Sequence, residues 1–280
     1  MIASVRDAYF RILYYKSILH LSQKLDSLYK NFYEIAKTRY KTGETSNLEM
    51  LTAQNKVSEI KLRLNEINTT LSGAYLQLQK VLNLNVKISI ADSVLYELDV
   101  SMSNDSSAIH NTPYISFSEQ SVNAAKIDYS LEKSRSLPDF SVAYFHQPVK
   151  NNGAYYGYQI GMNVPLWYRP QKNKIKAAKI DMNIAENEYQ NHIITYKTLL
   201  NQQKQHLLQL ENKLKYFADE GLPLANVIIK TSTAAYKGGE IGYIEFVQSI
   251  GQALDIRSDY LETLMHRNEV AIIINQILGN

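Results

Sequence analysis

The sequence predicts a mainly α-helical protein, built from long antiparallel coiled-coil hairpins with one β-hairpin set among them. Three observations predict it. Glycine (11) and proline (6) are scarce in 280 residues, so little punctuates the chain. Apolar residues recur at heptad spacing over long stretches. One longer region, residues 139–166, alternates apolar with small or polar residues at the period of a strand.

Residues 2–41 read as the first helix, with Leu21, Leu25, Leu28, Phe32 and Ile35 at three- and four-residue steps. Thr42-Gly43-Glu44-Thr45-Ser46 breaks it. The second helix carries a strict seam. Met50, Val57, Leu64, Leu71 and Leu78 hold one heptad position; Ala53, Ile60, Ile67, Ala74 and Val81 hold the position three later. Such a seam packs as a left-handed coiled coil, and the short break makes the pair an antiparallel hairpin. Beyond it, Val86, Ile88 and Ile90 read as short β-like pieces, Ser101 to Asn111 as a polar loop, and Pro113 to Ser136 as a helix stopped by Leu137-Pro138.

Two alternating segments follow. Phe140, Val142, Tyr144 and His146 share one face of the first; Tyr156, Tyr158, Ile160, Met162, Val164 and Leu166 share one face of the second, opposite Gly157, Gln159, Gly161 and Asn163. Lys150-Asn151-Asn152-Gly153 is the turn, and Pro165 and Pro170 close the second segment. Strands of about ten residues with one apolar face match a transmembrane β-hairpin. Tyr155, Tyr156, Tyr158, Trp167 and Tyr168 fit interfacial girdles. A hairpin on a soluble sheet has the same alternation.

Residues 171–237 are helical again, with Ile175, Met182, Tyr189, Tyr196, Leu210, Phe217 and Leu224 in heptad register and Gln203 as the interruption. Fully helical, this stretch spans roughly 100 Å, with a kink expected at Gly221-Leu222-Pro223. Gly238-Gly239-Glu240 is the second break, before a last helix from about Gly242 to Leu278. Phe246, Ala253, Ile256, Val270, Ile274 and Ile277 fit its seam; Ser249, Thr263 and Arg267 do not.

The two breaks repeat one another. Tyr40-Lys41-Thr42-Gly43-Glu44 aligns with Tyr236-Lys237-Gly238-Gly239-Glu240, 196 residues on (Tyr40 to Tyr236), and Leu48-Glu49-Met50-Leu51 with Ile244-Glu245-Phe246-Val247. Val81-Leu82 and Ile277-Leu278 keep the same offset. Repeats of this kind complete a shared core with their neighbours. The first repeat has no β-hairpin and a shorter first helix, which leads us to expect further chain, a hairpin and part of a helix, upstream of Met1. The division read from these features is 1–82, first helical hairpin; 83–136, linker and helix; 137–168, β-hairpin; and 169–280, second helical hairpin.

Composition narrows the function classes. The net charge of +3 is too mild and dispersed for nucleic acid, and without cysteine there is no thiolate chemistry or disulfide. No apolar run reaches the length of a membrane-spanning helix. His20, His110, His146, His192, His206 and His266 show no ligand spacing with one another. No Ser/His/Asp arrangement, phosphate loop or carboxylate pair suggests catalysis. We expect neither an enzyme nor a resident metal or cofactor.

The combined features resemble the outer-membrane efflux protein family, the TolC-type channels. The resemblance rests on the turns Arg39 to Glu44 and Ala235 to Glu240 with their Leu/Ile-Glu continuations, on Leu137-Pro138-Asp139-Phe140 opening the first strand, and on Val164-Pro165-Leu166-Trp167 leading into the long helix. Ser136 to Val142 and Pro165-Leu166-Trp167 look closest to the heavy-metal efflux branch. The resemblance implies a homotrimer in outer-membrane lipid, with a β-barrel and a periplasmic α-barrel closed at its helical turns. Its partners would be a periplasmic adaptor and an inner-membrane pump, which drives metal cations or small toxic compounds through a passive gated duct.

The same resemblance implies site roles. Glu49 and Glu245 take the positions of pore-facing acids, and Tyr236 that of a tyrosine holding the closed tip. Ile241 stands where a gating arginine is expected, and Gln248 where a second pore aspartate is. Gly43, Glu44, Gly239 and Glu240 form the tip an adaptor would meet, and Tyr156, Tyr158, Ile160, Met162 and Val164 the lipid-facing surface. Plainer readings stand beside these. Acids in a first helical turn favour the helix dipole, glycine permits positive φ at a turn, and Tyr236 can serve packing alone. Two rival functions share the helical hairpin: a periplasmic adaptor, which needs lipoyl-like and barrel domains around a single hairpin, and a soluble coiled-coil scaffold, which has no use for a long exposed apolar strand face.

Overall fold

Heptad seams give long helices only where both faces of each hairpin find partners, and the structure, a computed structural model, shows where they do. It describes residues 2–100, 112–148, 153–164 and 168–279, apart from the side chain of Tyr168. The Ser101–Asn111 loop with His110, the Lys150-Asn151-Asn152 part of the turn, and Pro165-Leu166-Trp167 lie outside the described residues. The elements run α1 (Ile2–Lys41), α2 (Asn47–Leu82), α3 (Pro113–Ser134), β1 (Asp139–Pro148), β2 (Ala154–Asn163), α4 (Tyr168–Tyr216), a π-helical turn (Phe217–Gly221), α5 (Leu222–Gly238) and α6 (Tyr243–Ile277). They fall into two compact units. One holds residues 1–102 and 200–278, the other chiefly 103–199.

In the first unit α1 packs antiparallel on α2 and also against α6, while α5 packs on α6. Every residue of the two α2 seam positions is buried or half-buried, so the heptad register is realised along the whole helix. One core joins Leu25, Tyr29, Phe32 and Ala36 of α1 to Ala53 and Ile60 of α2, with Tyr236, Tyr243, Phe246 and Ile250 from the second repeat. Another, at the far end of α1, gathers Phe10, Leu13, Leu95, Leu214, Leu264, Met265 and Ile272.

Three expectations are corrected here. Val86, Ile88 and Ile90 form no strand. Their segment runs extended along α1 and α6, and side chains take the place of a ladder. Lys16 Nζ donates to the carbonyls of Ile90 (2.7 Å) and Asp92 (2.8 Å). Asn268 accepts from Leu98 N–H (2.9 Å) and donates to the Tyr96 carbonyl (2.7 Å). Backbone groups satisfied in this way need no partner strand. Second, α3 ends at Ser134, two residues short of the expected end, with Arg135 and Ser136 in a closing turn.

Third, Leu224 does not hold the seam: the interruption expected at Gly221-Leu222-Pro223 takes the form of a π turn between α4 and α5. Pro223 has no N–H to continue the ladder, and the wider turn accommodates it. A π turn slips the side-chain stripe, so Leu224 leaves the seam and is 52% exposed, while Gly221, Ala225, Ser232 and Tyr236 are buried. Thr263 and Arg267 of α6, polar residues that interrupt its apolar seam, are interior. The second half of α6 is buried nearly all round, and Arg267 bonds the Leu98 carbonyl and lies 3.8 Å from Glu211.

In the second unit α3 runs antiparallel to the first part of α4. Tyr114 stacks on Tyr196 (5.1 Å, 13°), Ser118 Oγ and His192 Nδ1 lie 3.1 Å apart, and Gln171 Nε2 donates to Glu132 (2.9 Å). That bond is the largest influence holding the Glu132 carboxyl below its usual range. β1 and β2 pair antiparallel from Asp139↔Asn163 to Pro148↔Ala154, forming a two-stranded sheet.

Candidate functional site

The two turns between helices have the same backbone. Gly43 and Gly239 adopt φ of 79° and 78°, the left-handed region in which a side chain is strained. Gly43 N–H donates to the Tyr40 carbonyl and Glu44 N–H to that of Arg39, at 3.1 and 2.8 Å. Gly239 N–H and Glu240 N–H repeat the pair to Tyr236 and Ala235, at 3.1 and 2.9 Å. Both are Schellman closures, so the repeat seen in the residues is also a repeat of hydrogen bonds.

The side chains at the turns break that symmetry. Tyr236 is fully buried, its ring edge-on to Phe32 (5.3 Å) and stacked on Phe246 (5.0 Å). Its hydroxyl donates to Glu49 Oε1 at 2.7 Å, joining the second repeat to the first. Thr45 Oγ1 donates to Glu49 Oε2 at 2.5 Å, and the Glu49 N–H is capped by Ser46 Oγ at 3.3 Å. The Arg39 guanidinium lies 5.6 Å from the Tyr236 ring centre, and its Nε is 3.6 Å from Glu44. Burial, then the bond to Glu49, pushes the Tyr236 phenol well above its ordinary pKa, so it stays a neutral donor.

Glu245, the repeat mate of Glu49, is exposed on the first turn of α6, whose N-cap is Gly242. Glu44 and Glu240 are exposed at the turns as well. Of the candidate residues at the turns, the structure brings together Glu49, Tyr236, Gly239 and Glu44 through Arg39, which would sit 3.5 Å from a Cβ on Gly239. Arg39 and Thr45 were not singled out by sequence reasoning. The signal was present, since the repeat replaces them with Ala235 and Ile241.

The β-hairpin carries the other candidate residues. The register places Phe140 opposite Met162, Val142 opposite Ile160, Tyr144 opposite Tyr158 and His146 opposite Tyr156, all on one face. That face is bare: Val142, Tyr158 and Ile160 are 77%, 80% and 81% exposed. Val164, just past β2, is 37% exposed. The opposite face pairs Ser141 with Gly161 and Ala143 with Gln159. Phe145 covers Gly157 there, so closely that a Cβ on Gly157 would lie 2.3 Å from the ring. An isolated hairpin is marginal in water, and a contiguous apolar face of this kind marks a surface covered by lipid or protein.

Among the described residues no group of three His, Asp or Glu is placed to hold a metal ion, and no helix is long and apolar enough to cross a membrane. A β-barrel needs no such helix.

Comparison with known proteins bears on the fold. No protein-family model matches the sequence, and neither does any curated protein sequence. Solved structures do match. The transmembrane channel CusC aligns over all of this chain and 68% of its own length, with a TM-score of 0.89 and 15% identity. The outer-membrane protein VceC of Vibrio cholerae aligns over 99% of this chain and 69% of its own, with a TM-score of 0.87 and 12% identity. For the outer-membrane channel CmeC of Campylobacter jejuni the shares are 99% and 62%, with a TM-score of 0.85 and 15% identity. The chain thus has the fold of outer-membrane channel proteins and spans about two thirds of their length.

Proposed function

We propose that the chain belongs to the outer-membrane efflux channels and supplies the passive exit duct of a tripartite system in the bacterial outer membrane. Three copies contribute β1 and β2 to a membrane barrel and the helical hairpins to a periplasmic barrel. An adaptor meets the tip at Gly43, Glu44, Gly239 and Glu240, and an inner-membrane pump drives metal cations or small toxic compounds outward. The observation that carries the reading is the bare apolar face of Tyr156, Tyr158, Ile160 and Met162, on a hairpin whose two edges are unpaired among the described residues. Lipid covers such a face, and closure into a barrel satisfies such edges. A coiled-coil scaffold explains neither. An adaptor is disfavoured by the match of all or nearly all of the chain to channel structures.

Glu245 and Glu49 line the closed end in threefold copies. Like charges gathered in a ring favour cations and disfavour anions. Glu49 is engaged by Tyr236 and Thr45, so the open charge belongs chiefly to Glu245.

The test is recovery from fractionated cells followed by conductance in planar bilayers. The chain is expected in the outer-membrane fraction, released only by detergent, with cation-preferring conductance that weakens in Glu245→Gln more than in Glu49→Gln. Recovery as soluble protein sinks the channel reading; unchanged selectivity in Glu245→Gln removes the charge ring alone.

A further inference from the structure

We propose that the first compact unit binds a small amphipathic organic anion, an aromatic carboxylate or sulfonate, in a cavity beside the π turn. Lys24 and Arg257 hold its charged group there, and Leu21, Leu222 and Leu261 its apolar body. All these residues belong to the first unit, so the proposal goes beyond the channel reading and does not depend on it.

The cavity owes its shape to the π turn. The Leu222 N–H donates to the Phe217 carbonyl and closes the wide turn, a local geometry that recurs at functional sites. Leu222, the first residue of α5, thereby becomes one wall. α1 supplies Leu21, α6 supplies Tyr260 and Leu261, and Val94 of the extended segment is exposed at the rim. The Tyr260 ring meets Phe217 of the π turn edge-on at 6.2 Å. The volume is about 280 Å³, at the small end of ligand sites, which suits a substituted ring and excludes the acyl chains of a lipid.

Its charge is one-sided. His20 and Lys24 lie one turn apart on α1, Arg257 joins them from α6, and no Asp or Glu lines the cavity. Lys24 and Arg257 make no ion pair among the described residues. Neither has an acid three or four residues away on its own helix. The neighbouring carboxylate of Asp92 is engaged elsewhere, accepting from the Tyr9 hydroxyl. Burial, then the charge of Glu97, raises the Tyr260 phenol, so that side chain lines the cavity as a neutral group. Cations gathered from two helices without a counter-charge repel one another, and an anion seated between them relieves the repulsion.

The donors set the ligand class. Arg257 is half-buried, and its Nη2 donates to Asn226 Oδ1, which steadies the guanidinium and leaves its other N–H groups for a ligand. Ser17 Oγ accepts from the Leu95 N–H at 3.0 Å, so its own O–H remains to donate. A planar guanidinium fork beside a lysine point charge matches a carboxylate or sulfonate. Three leucines and a tyrosine ring favour an apolar body behind that group and disfavour a fully hydrated inorganic ion.

The probe is para-fluorobenzoate, titrated into the whole chain in detergent and followed by fluorine NMR, with protein-free micelles as the baseline. Saturable binding is expected. Lys24→Gln is expected to weaken it about threefold and Arg257→Gln about tenfold, as suits an exposed and a half-buried charge-assisted bond. Val94 is 67% exposed, so Val94→Glu is expected to leave thermal melting unchanged while its charge at the rim abolishes binding. Absence of saturable binding, equal binding of the neutral para-fluorobenzamide, or full affinity in both Arg257→Gln and Val94→Glu overturns the site. Displacement of the probe by phosphate at equal concentration makes it a site for inorganic anions and overturns the amphipathic class. All of these outcomes leave the channel reading standing, since that reading is tested by membrane recovery and conductance.

Discussion

At the residue scale, the turn region concentrates tyrosines whose hydroxyls meet different fates. Tyr236 donates to Glu49, but the Tyr243 hydroxyl is buried without a hydrogen-bond partner among the described residues. A buried unsatisfied hydroxyl costs about 1–3 kcal/mol, so Tyr243→Phe is expected to stabilise the detergent-solubilised protein by about 1 kcal/mol in a thermal or denaturant melt. Tyr236→Phe, which removes the donor to Glu49 Oε1, is expected to destabilise it by about 1.5–3 kcal/mol. A melt in which the two variants move together would refute this division of roles. Burial also pushes the Tyr29 phenol up to about 12, and those of Tyr236 and Tyr243 higher still. With folded-state pKa values raised, the stabilisation is complete below the unfolded tyrosine value of about 10 and drains away as pH rises through the folded values. Thermal stability is therefore expected to fall steadily from pH 10 upward, with a shallower slope in Tyr236→Phe. Glu49 and Glu245 look alike in the sequence because the first-turn acid is what the repeat preserves. Their difference lies in Thr45 against Ile241 and Arg39 against Ala235, residue pairs whose meaning appears only when α5 is brought across to α2.

At the scale of elements, sequence periodicity located α1, α2, α6 and both turns, since five uninterrupted heptads and a glycine in a fixed place leave the backbone few choices. It lost the register after Phe217. A heptad count assumes a uniform helical pitch, and the π turn adds backbone without adding a side-chain contact, so Leu224 is turned outward and Ala225 inward. Thr263 and Arg267 interrupt the apolar seam for a related reason. The irregular segment after α2 brings backbone carbonyls to α6, and a polar residue is the side chain that can satisfy them. No local pattern encodes that encounter. The glycines at the turns allow a controlled comparison. Gly43→Ala and Gly239→Ala place a side chain at φ near +79°, a strain of roughly 1–2 kcal/mol each, although no atom lies within 3.4 Å of either added Cβ. Gly73, exposed within α2 with open space around it, is expected to gain up to about 1 kcal/mol on replacement by Ala. Equal shifts at all three positions in denaturant melts would show that conformation at the turns is not what the glycines supply.

At the scale of the whole molecule, the question is what solvent the chain is built for, and the two units answer it differently. In the first, seams close on one another and most large apolar side chains are covered. In the second, the hairpin turns Phe140, Val142, Tyr144, Tyr158, Ile160 and Met162 outward and keeps Ser141, Ala143, Gln159 and Gly161 on its other face. A water-soluble hairpin would bury the first set, and a barrel in lipid exposes it. The distinction is testable with a single charge on either side of one strand. Arginine on the lipid face near the middle of a barrel strand costs about 2–4 kcal/mol, whereas the lumen face accepts it. Ile160→Arg is therefore expected to deplete the protein from the outer-membrane fraction, and Gln159→Arg, next to it in β2, to leave recovery unchanged while shifting conductance toward anions. If instead Gln159→Arg were the disruptive change, or both were tolerated, the apolar face would be covered by protein rather than lipid, and the hairpin would have to be read as an interface in water.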